Sequence, residues 1–127
     1  MFVREVTCDV LESAGYRVLS AKDSVEAARL YDTQGSEVDL VLTDVILPGE
    51  SGRVLAAKLR RENRQLKVLF VTGYVEQMTK LEETREEWLA KPFSSDVLLR
   101  EIRSLLDRGK LRSERLPGDF MPACADA

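Results

Sequence analysis

The chain has 127 residues, of which 44% are hydrophobic and 32% are charged, as is typical of one soluble globular domain. Its net charge of −3 gives no indication of a nucleic-acid or anionic-membrane partner, and no apolar stretch approaches the length of a membrane span. The sequence has no histidine, which excludes Ser-His-Asp and Cys-His catalysis and histidine metal sites within this chain. The two cysteines, Cys8 and Cys124, lack metal-site spacing and indicate reduced thiols, so we expect a cytoplasmic protein.

Hydrophobic periodicity predicts alternating helices and strands in the first half of the chain. Gly15 is expected to end the first helix, since glycine commonly follows a helix, and a capping box that begins at Asp23 is expected to start the second. The run before Asp44 is almost continuously apolar, as in strands that are buried on both faces of a parallel sheet. The predicted elements are a helix at 3–14, a strand at 16–21, a helix at 23–31 and a strand at 38–44.

The second half of the chain continues this alternation until its last residues. Ser94 or Ser95 is expected to cap the final helix. After Asp107 the sequence turns polar and irregular, without an apolar run that could form another strand, which predicts one domain over 1–107 and a flexible tail over 108–127. The predicted elements are a helix at 52–61, a strand at 67–72, a helix at 75–87, a short strand at 88–90 and a last helix to about 106.

Three of the predicted strands deliver polar residues to their carboxyl ends, namely Asp44, Thr72 and Lys91. The alternating pattern predicts a parallel sheet with helices on both faces. In such a sheet the carboxyl ends share one edge, where open α/β folds bind their ligands. Each residue alone has an ordinary explanation as a turn residue, a structural threonine or a solvated lysine. The convergence of an acid, a hydroxyl and an ammonium group from three strands favours a functional site.

Three motifs make residues 3–107 resemble the receiver domain of two-component response regulators, the CheY-like family. The motifs are Val-Asp-Leu-Val-Leu-Thr-Asp-Val-Ile-Leu-Pro-Gly-Glu-Ser-Gly around Asp44, Val-Thr-Gly-Tyr around Thr72, and Leu-Ala-Lys-Pro-Phe around Lys91. The resemblance implies a flavodoxin-like, doubly wound parallel sheet in three α/β/α layers, with strand order 2-1-3-4-5. It also implies a function in bacterial phosphorelay signalling.

The resemblance implies a role for each residue that matches the family pattern. Asp44 corresponds to the phosphoacceptor, Thr72 to the switch hydroxyl, and Lys91 to the lysine that pairs with the phosphoryl group. Trp88 takes the place of the switch aromatic, which is usually Tyr or Phe and has a smaller ring. The peptide bond before Pro92 is expected to be cis.

One part of the family pattern is absent at the start of the sequence. Family members begin with a hydrophobic strand that ends in two acidic residues, whereas Met1 stands almost at the start of the first helix, so the first strand is expected to be missing. The resemblance places Mg²⁺ on that acid pair, on Asp44 and on the backbone carbonyl of Ile46, so weak Mg²⁺ binding and slow phosphorylation are expected. Strand 16–21 would then pair directly with 38–44, or the chain would form a homo-oligomer.

Three classes of function compete at this point. The first is a receiver, not an enzyme, that accepts a phosphoryl group on Asp44 from a histidine kinase or phosphotransfer protein and signals through a partner on the face built from 74–106. The second is a phosphorylation-independent interaction module, which the missing acid pair favours. The third, an aspartyl-phosphate hydrolase of the haloacid dehalogenase type, needs a second Asp where Ile46 stands. The Thr-Gly-Tyr sequence at Thr72 resembles receivers attached to hybrid sensor kinases.

Overall fold

The computed structural model describes residues 3–34, 38–47, 50–108 and 119–123. Helices and strands alternate along these residues, as the hydrophobic pattern predicts, except for two additional two-residue strands between 46 and 51. The helices are α1 (Val3–Ser13), α2 (Ser24–Gln34), α3 (Gly52–Glu62), α4 (Val75–Glu83) and α5 (Ser95–Arg108). The strands are β1 (Arg17–Val18), β2 (Val38–Asp44), β3 (Ile46–Leu47), β4 (Glu50–Ser51), β5 (Lys67–Thr72), β6 (Glu87–Ala90) and β7 (Asp119–Ala123).

Five of the strands form one sheet in the order β1-β7-β2-β5-β6. Every neighbouring pair in this sheet is parallel, which confirms the predicted parallel α/β architecture. The order is that of flavodoxin-like folds, 2-1-3-4-5. The central place that such folds give to their first strand is occupied here by β7, the last strand in the sequence.

The strand β7 overturns two predictions made from the sequence. A flexible tail was expected over 108–127, and this is wrong for Asp119–Ala123, which pair with strands on both sides. Direct pairing of 16–21 with 38–44 is also wrong, because β7 lies between β1 and β2. The segment is short and carries a proline, a residue that normally argues against a central strand, so its pattern gave no strand signal. The domain boundary at residue 107 stays a prediction.

The position of Pro122 explains how a proline fits this strand and why β1 is short. Along a parallel strand, the backbone N–H groups of successive residues point alternately to one neighbour and to the other. Pro122 lies inside the pairing with β2, and since proline has no N–H, the donors that reach β2 are Met121 and Ala123. The proline nitrogen therefore faces β1, whose pairing with β7 ends at Phe120. No donor is available there to extend β1 beyond Arg17–Val18 to the longer strand that the sequence predicts.

The core lies on both faces of the sheet, because the central strands β2 and β5 are buried along nearly their whole length. On one face, Leu40 and Leu69 pack with residues of α1 and α5, including the fully buried Leu11 and Ile102. On the other face the intervening residues of the same strands pack against α2, α3 and α4. None of the helices in the described ranges is long and apolar enough to cross a membrane.

Several element boundaries differ from the sequence-based expectation. The helix predicted at 75–87 ends at Glu83, and Arg85 follows with a positive φ of 60°. A short antiparallel hairpin, β3–β4, follows Asp44 and was not predicted. The expected capping box is present in part. The Glu26 N–H donates to Asp23 Oδ1 at 2.8 Å, but the Glu26 carboxylate accepts from the N–H of Lys22 at 2.7 Å, one residue before the N–H that a capping box uses. Gly15 adopts a φ of +99°, in keeping with its place after α1.

Gly52 allows the start of α3 to pack directly against the end of β2. Its N–H donates to the carbonyl oxygen of Val45 at 2.6 Å, and the hydroxyl of the preceding Ser51 caps the helix by accepting from the N–H of Arg53. A Cβ atom at Gly52 would lie 1.9 Å from the carbonyl oxygen of Asp44. Since that atom belongs to the backbone, no side-chain rotation relieves the clash.

We predict that Gly52→Ala lowers the free energy of unfolding by about 2 kcal/mol, because it overpacks a backbone contact. Gly73→Ala is a matched control, since a Cβ there meets its nearest atom at an ordinary 3.7 Å. Its expected change is within about 0.5 kcal/mol. Urea unfolding of the two variants and the parent chain measures both. Equal effects of the two substitutions would contradict the described packing at Gly52.

Candidate phosphoryl-acceptor site

The three polar residues predicted to converge come from adjacent strands at the carboxyl edge of the sheet. Asp44 ends β2, Thr72 ends β5, and Lys91 directly follows β6. The Lys91 Nζ atom lies 2.6 Å from Asp44 Oδ1, well within the expected distance of about two hydrogen-bond lengths. The Asp44 side chain is only 10% exposed and that of Lys91 is 31% exposed. A nearly buried carboxylate thus meets an ammonium group that water still reaches.

Backbone hydrogen bonds hold the ends of these strands in place. The Val45 N–H donates to the carbonyl of Val71 at 3.2 Å, which carries the pairing of β2 with β5 one residue past Asp44. The Lys91 N–H donates to the carbonyl of Thr72 at 2.9 Å, which fixes the start of the Lys91 side chain over the same edge. The sheet register therefore places the backbones of Asp44 and Lys91 at one edge, where their side chains form the ion pair.

Thr72 is buried, and its hydroxyl oxygen accepts a hydrogen bond from the N–H of Tyr74 at 3.1 Å. A hydroxyl group that accepts one bond retains its own proton as a donor. Its strand lies between those that carry Asp44 and Lys91, so the hydroxyl is placed at the same edge by register.

Trp88 lies on the edge strand β6 and links that strand to α4. Its indole Nε1–H donates to Glu82 Oε2 at 2.9 Å, and its ring packs partly against the core. The register pairs it with Phe70, two residues before Thr72 on the neighbouring strand. The peptide bond between Lys91 and Pro92 is cis, the form expected from the sequence.

The residues near Asp44 make a poor site for a tightly held Mg²⁺. That ion requires near-octahedral oxygen ligation and is usually bound by one or two carboxylates together with waters and substrate phosphates. Across the ranges 3–34, 38–47, 50–108 and 119–123, no group of three or more His, Cys, Asp or Glu side chains could hold a metal ion. The Asp44 carboxylate is already bonded to the ammonium of Lys91. The donor set that the structure describes therefore fits weak binding only.

A cavity of about 620 Å³ opens beside the site, between the β3–β4 hairpin and α4. Glu50 lines this cavity and forms an ion pair with Lys58, in which Glu50 Oε2 lies 2.8 Å from Lys58 Nζ. The hydrogen bond from Lys58 lowers the pKa of Glu50 below its usual 4.5, with burial opposing and Ser24 adding to the shift. The stabilisation from this pair is therefore present above pH 4.5 and lost as the pH falls, and solvent screening keeps it small. The cavity is lined by Val45, Ile46, Leu47, Glu50, Ser51, Arg53, Gln77 and Lys80.

Two structural contributors to the site were not identified from the sequence. Gly52 lets α3 approach the carbonyl of Asp44, and its signal was a glycine directly after a capping serine. The strand β7 pairs with β2 up to Thr43, the residue before Asp44. Its irregular composition gave no comparable signal.

Comparison with known proteins identifies the family of the chain. A family model described as the response regulator receiver domain matches residues 1–103. The sensor kinase CckA of Brucella abortus is 34% identical over 101 residues, which are 77% of this chain and 11% of that protein. The aerobic respiration control protein ArcA of Escherichia coli is 31% identical over 111 residues, 85% of this chain and 45% of that protein. The chain spans less than half the length of either relative.

Solved receiver domains share the fold over most of their length. One from Clostridium thermocellum matches with a TM-score of 0.79 at 25% identity, covering 87% of this chain and 90% of that chain. A CheY-like protein from Methanospirillum hungatei matches with a TM-score of 0.74 at 26% identity, covering 86% and 88%. Because the family model covers most of the sequence and the fold agrees, the chain belongs to the response regulator receiver domain family.

Proposed function

We propose that this chain accepts a phosphoryl group on Asp44 from a phosphohistidine of a histidine kinase or phosphotransfer protein. The observation that carries the proposal is the 2.6 Å contact between Lys91 Nζ and Asp44 Oδ1 at the carboxyl edge of the sheet. That edge is where open α/β folds bind ligands. The family is a signalling family, and sensor kinases and response regulators are among the relatives of this chain.

The proposed step is a displacement at phosphorus. An oxygen of the Asp44 carboxylate forms a bond to phosphorus as the P–N bond of the phosphohistidine breaks, and the electron pair of that bond stays on the imidazole. Carboxylate and phosphoryl group are both anionic, so catalysis consists mainly of positioning and charge neutralisation. Lys91 supplies a positive charge already within hydrogen-bond distance of Asp44, and Thr72 supplies a hydroxyl donor for a phosphoryl oxygen.

Receiver domains generally bind Mg²⁺ at their phosphorylation site. In this chain the carboxylate of Asp44 and the backbone carbonyl of Ile46 would contact the ion, which when bound neutralises negative charge on the phosphoryl oxygens. The described donor set supports only weak binding. Charge neutralisation is therefore assigned mainly to Lys91.

The proposed output runs from Thr72 through β6 to α4. Trp88 connects these elements, since it lies on β6 and its indole N–H is bonded to Glu82 of α4. The surface built from 74–106 exposes apolar side chains, with Tyr74 59% and Val75 71% exposed. Exposed apolar residues of this kind suit protein–protein contact. We therefore place a downstream protein partner on this surface.

A second candidate is a receiver-like interaction module that works without phosphorylation. It is favoured by one observation, the lack of a metal-binding group of carboxylates in the described part of the chain. Under this proposal the surface 74–106 binds its partner constitutively. The Asp44–Lys91 pair then has only a structural role.

We predict that an acyl phosphate donor labels the chain slowly on Asp44, because Lys91 supplies charge while metal binding is weak. Asp44→Asn should abolish the label, since an amide is not a nucleophile for this step. Asp96→Asn, an exposed substitution in the first turn of α5, is the matched control and should leave the label unchanged. A phosphate-affinity gel with and without Mg²⁺ measures the labelled fraction. A label that survives Asp44→Asn would contradict the assignment, and an unlabelled parent chain would favour the interaction module.

We also predict that phosphorylation changes the fluorescence of Trp88, the single tryptophan of the chain. The bond from its indole to Glu82 ties its environment to the α4–β6 surface, so repositioning of that surface should shift the emission. The measurement follows intrinsic fluorescence during addition of the acyl phosphate, with Asp44→Asn as the control for direct quenching by the donor. A fully labelled chain with unchanged emission would show that Trp88 is not the switch aromatic.

A further inference from the structure

The edges of β1 and β2 bound a groove one strand wide. The strand β7 lies in this groove and runs parallel to both walls. Apart from β7, the sheet gives β1 no strand neighbour, whereas β5 pairs directly with β2 on one side and with β6 on the other. Occupation of the groove therefore joins the β1 side of the sheet to the three strands that carry Asp44, Thr72 and Lys91.

The strand that fills this groove, β7, comes from the C-terminal part of the sequence. The strand β6 ends at the carboxyl edge of the sheet, so α5 returns the chain to the amino edge. The strand β7 starts at that same amino edge, because all strands of the sheet are parallel. Residues 109–118 join these two points. The helix α1 starts at the carboxyl edge, since it leads into β1 at the amino edge. The central strand of the sheet, β7, is thus the last of the described strands in sequence order. It ends at the carboxyl edge, where α1 begins.

We propose that the groove between β1 and β2 is a strand-binding site, that the C-terminal segment of this chain is its occupant, and that binding of this strand holds Asp44 in its functional position. The occupant is a separable element: it forms no part of the direct pairing among the other strands of the sheet. This inference rests on the proposed function only for its consequence at Asp44. The binding of the strand itself is measurable without any phosphoryl group.

The register shows why the groove and Asp44 are coupled. The pairing of β7 with β2 continues to Ala123 opposite Thr43, which directly precedes Asp44 and is fully buried. Without β7, the backbone N–H and C=O groups along one side of β2 lose their partners, and buried polar groups without partners are unstable. The end of β2 would then be held on the β5 side alone. Binding of the strand is therefore coupled to the position of Asp44 through the backbone of β2.

The same register shows that β7 pairs over more residues with β2 than with β1. Met121 and Ala123 provide the N–H donors toward β2, whereas β1 pairs only with Asp119 and Phe120. The missing N–H of Pro122 falls on the β1 side. A proline at 123 would remove a donor toward β2, although a proline at 122 does not. The substitution Ala123→Pro therefore weakens binding of β7 to β2 by removing a backbone hydrogen bond.

The first experiment tests which strand fills the groove in the full chain. The test variant carries Val18→Cys and Phe120→Cys, which place two thiols at registered positions of adjacent strands. The native cysteines are removed by Cys8→Ser and Cys124→Ser. Neighbouring parallel strands bring such positions within the Cα separation of a disulfide. The control, Arg17→Cys with Phe120→Cys, shifts one thiol to the opposite face of the strand. Oxidation followed by a non-reducing gel and mass measurement detects the link.

We expect a fast, complete intramolecular disulfide in the Val18–Phe120 pair and at least tenfold slower formation in the control. Equal rates in both pairs would overturn the proposal, because they would indicate a segment without register. A disulfide that forms only between two chains would overturn it as well, since the occupant would then be a second copy.

The second experiment tests separability and coupling. Ala123→Pro in the full chain removes an N–H donor toward β2, and Pro122→Ala is the matched substitution that removes none. We expect Ala123→Pro to lose hydrogen-exchange protection of the β2 amides, and Pro122→Ala to retain it. A synthetic peptide of residues 118–127 with Cys124→Ser is then added in excess to Ala123→Pro. The control peptide carries the same proline substitution at 123.

The proposal is supported if the peptide of residues 118–127 restores hydrogen-exchange protection of the β2 amides and the control peptide with proline at 123 does not. This holds whether Ala123→Pro removes protection from β2 alone or from the whole chain. No restoration by either peptide overturns it. Labelling at Asp44 is measured last, in the same samples, and should return together with β2 protection. If protection returns while neither the parent chain nor the restored variant is labelled, the strand-binding site stands and the proposed phosphoryl acceptance fails.

Discussion

The arrangement of this protein depends on one constraint, which is that the backbone of β2 must find hydrogen-bond partners on both sides. The strand is buried along nearly its whole length, so water cannot replace a missing neighbour. On one side β5 provides the partners in continuous parallel register. On the other side they come from β7, which the sequence delivers only after five helices. Among the described residues, the central strand of the parallel sheet is thus the one that comes last in the sequence.

The candidate site follows from the same register. Asp44 reaches the carboxyl edge because β2 is held there, and Lys91 meets it because its own N–H is bonded to the carbonyl of Thr72. The resulting ion pair is nearly buried on the acid side and partly exposed on the ammonium side. Such a pair is a weak source of stability, since desolvation offsets most of the attraction. The pair therefore matters mainly for the phosphoryl acceptance that we propose at Asp44, where Lys91 is the positive charge beside the carboxylate.

The sequence was sufficient to predict the elements whose signals are local. The apolar run before Asp44, the helix-stopping Gly15 and the cap of α2 by Asp23 each have a physical cause within a few residues, and each predicted the observed structure. The convergence of Asp44 with Lys91 followed from strand order alone, because parallel strands share one carboxyl edge. These predictions needed no knowledge of distant contacts.

Apart from the end of α4 and the short β3–β4 hairpin, the failures involve interactions between distant segments. The strand β7 has no apolar alternation, and its proline is acceptable only because the proline nitrogen faces the side where β1 has ended. The role of Gly52 depends on a backbone approach to Asp44 that its neighbours in sequence do not reveal. The shortness of β1 is set by β7, so no pattern within 16–21 could show it.

The most direct test of this account is a solution NMR measurement of backbone contacts between the C-terminal segment and β2 in the full chain. The account predicts cross-strand nuclear Overhauser effects that join Met121 and Ala123 to the residues from Val41 to Thr43, in parallel register. It also predicts slow exchange of the amides of Met121 and Ala123, because these are the donors to β2. Rapidly exchanging amides in 119–123, without contacts to β2, would contradict the claim that the last strand of the chain completes the sheet beside Asp44.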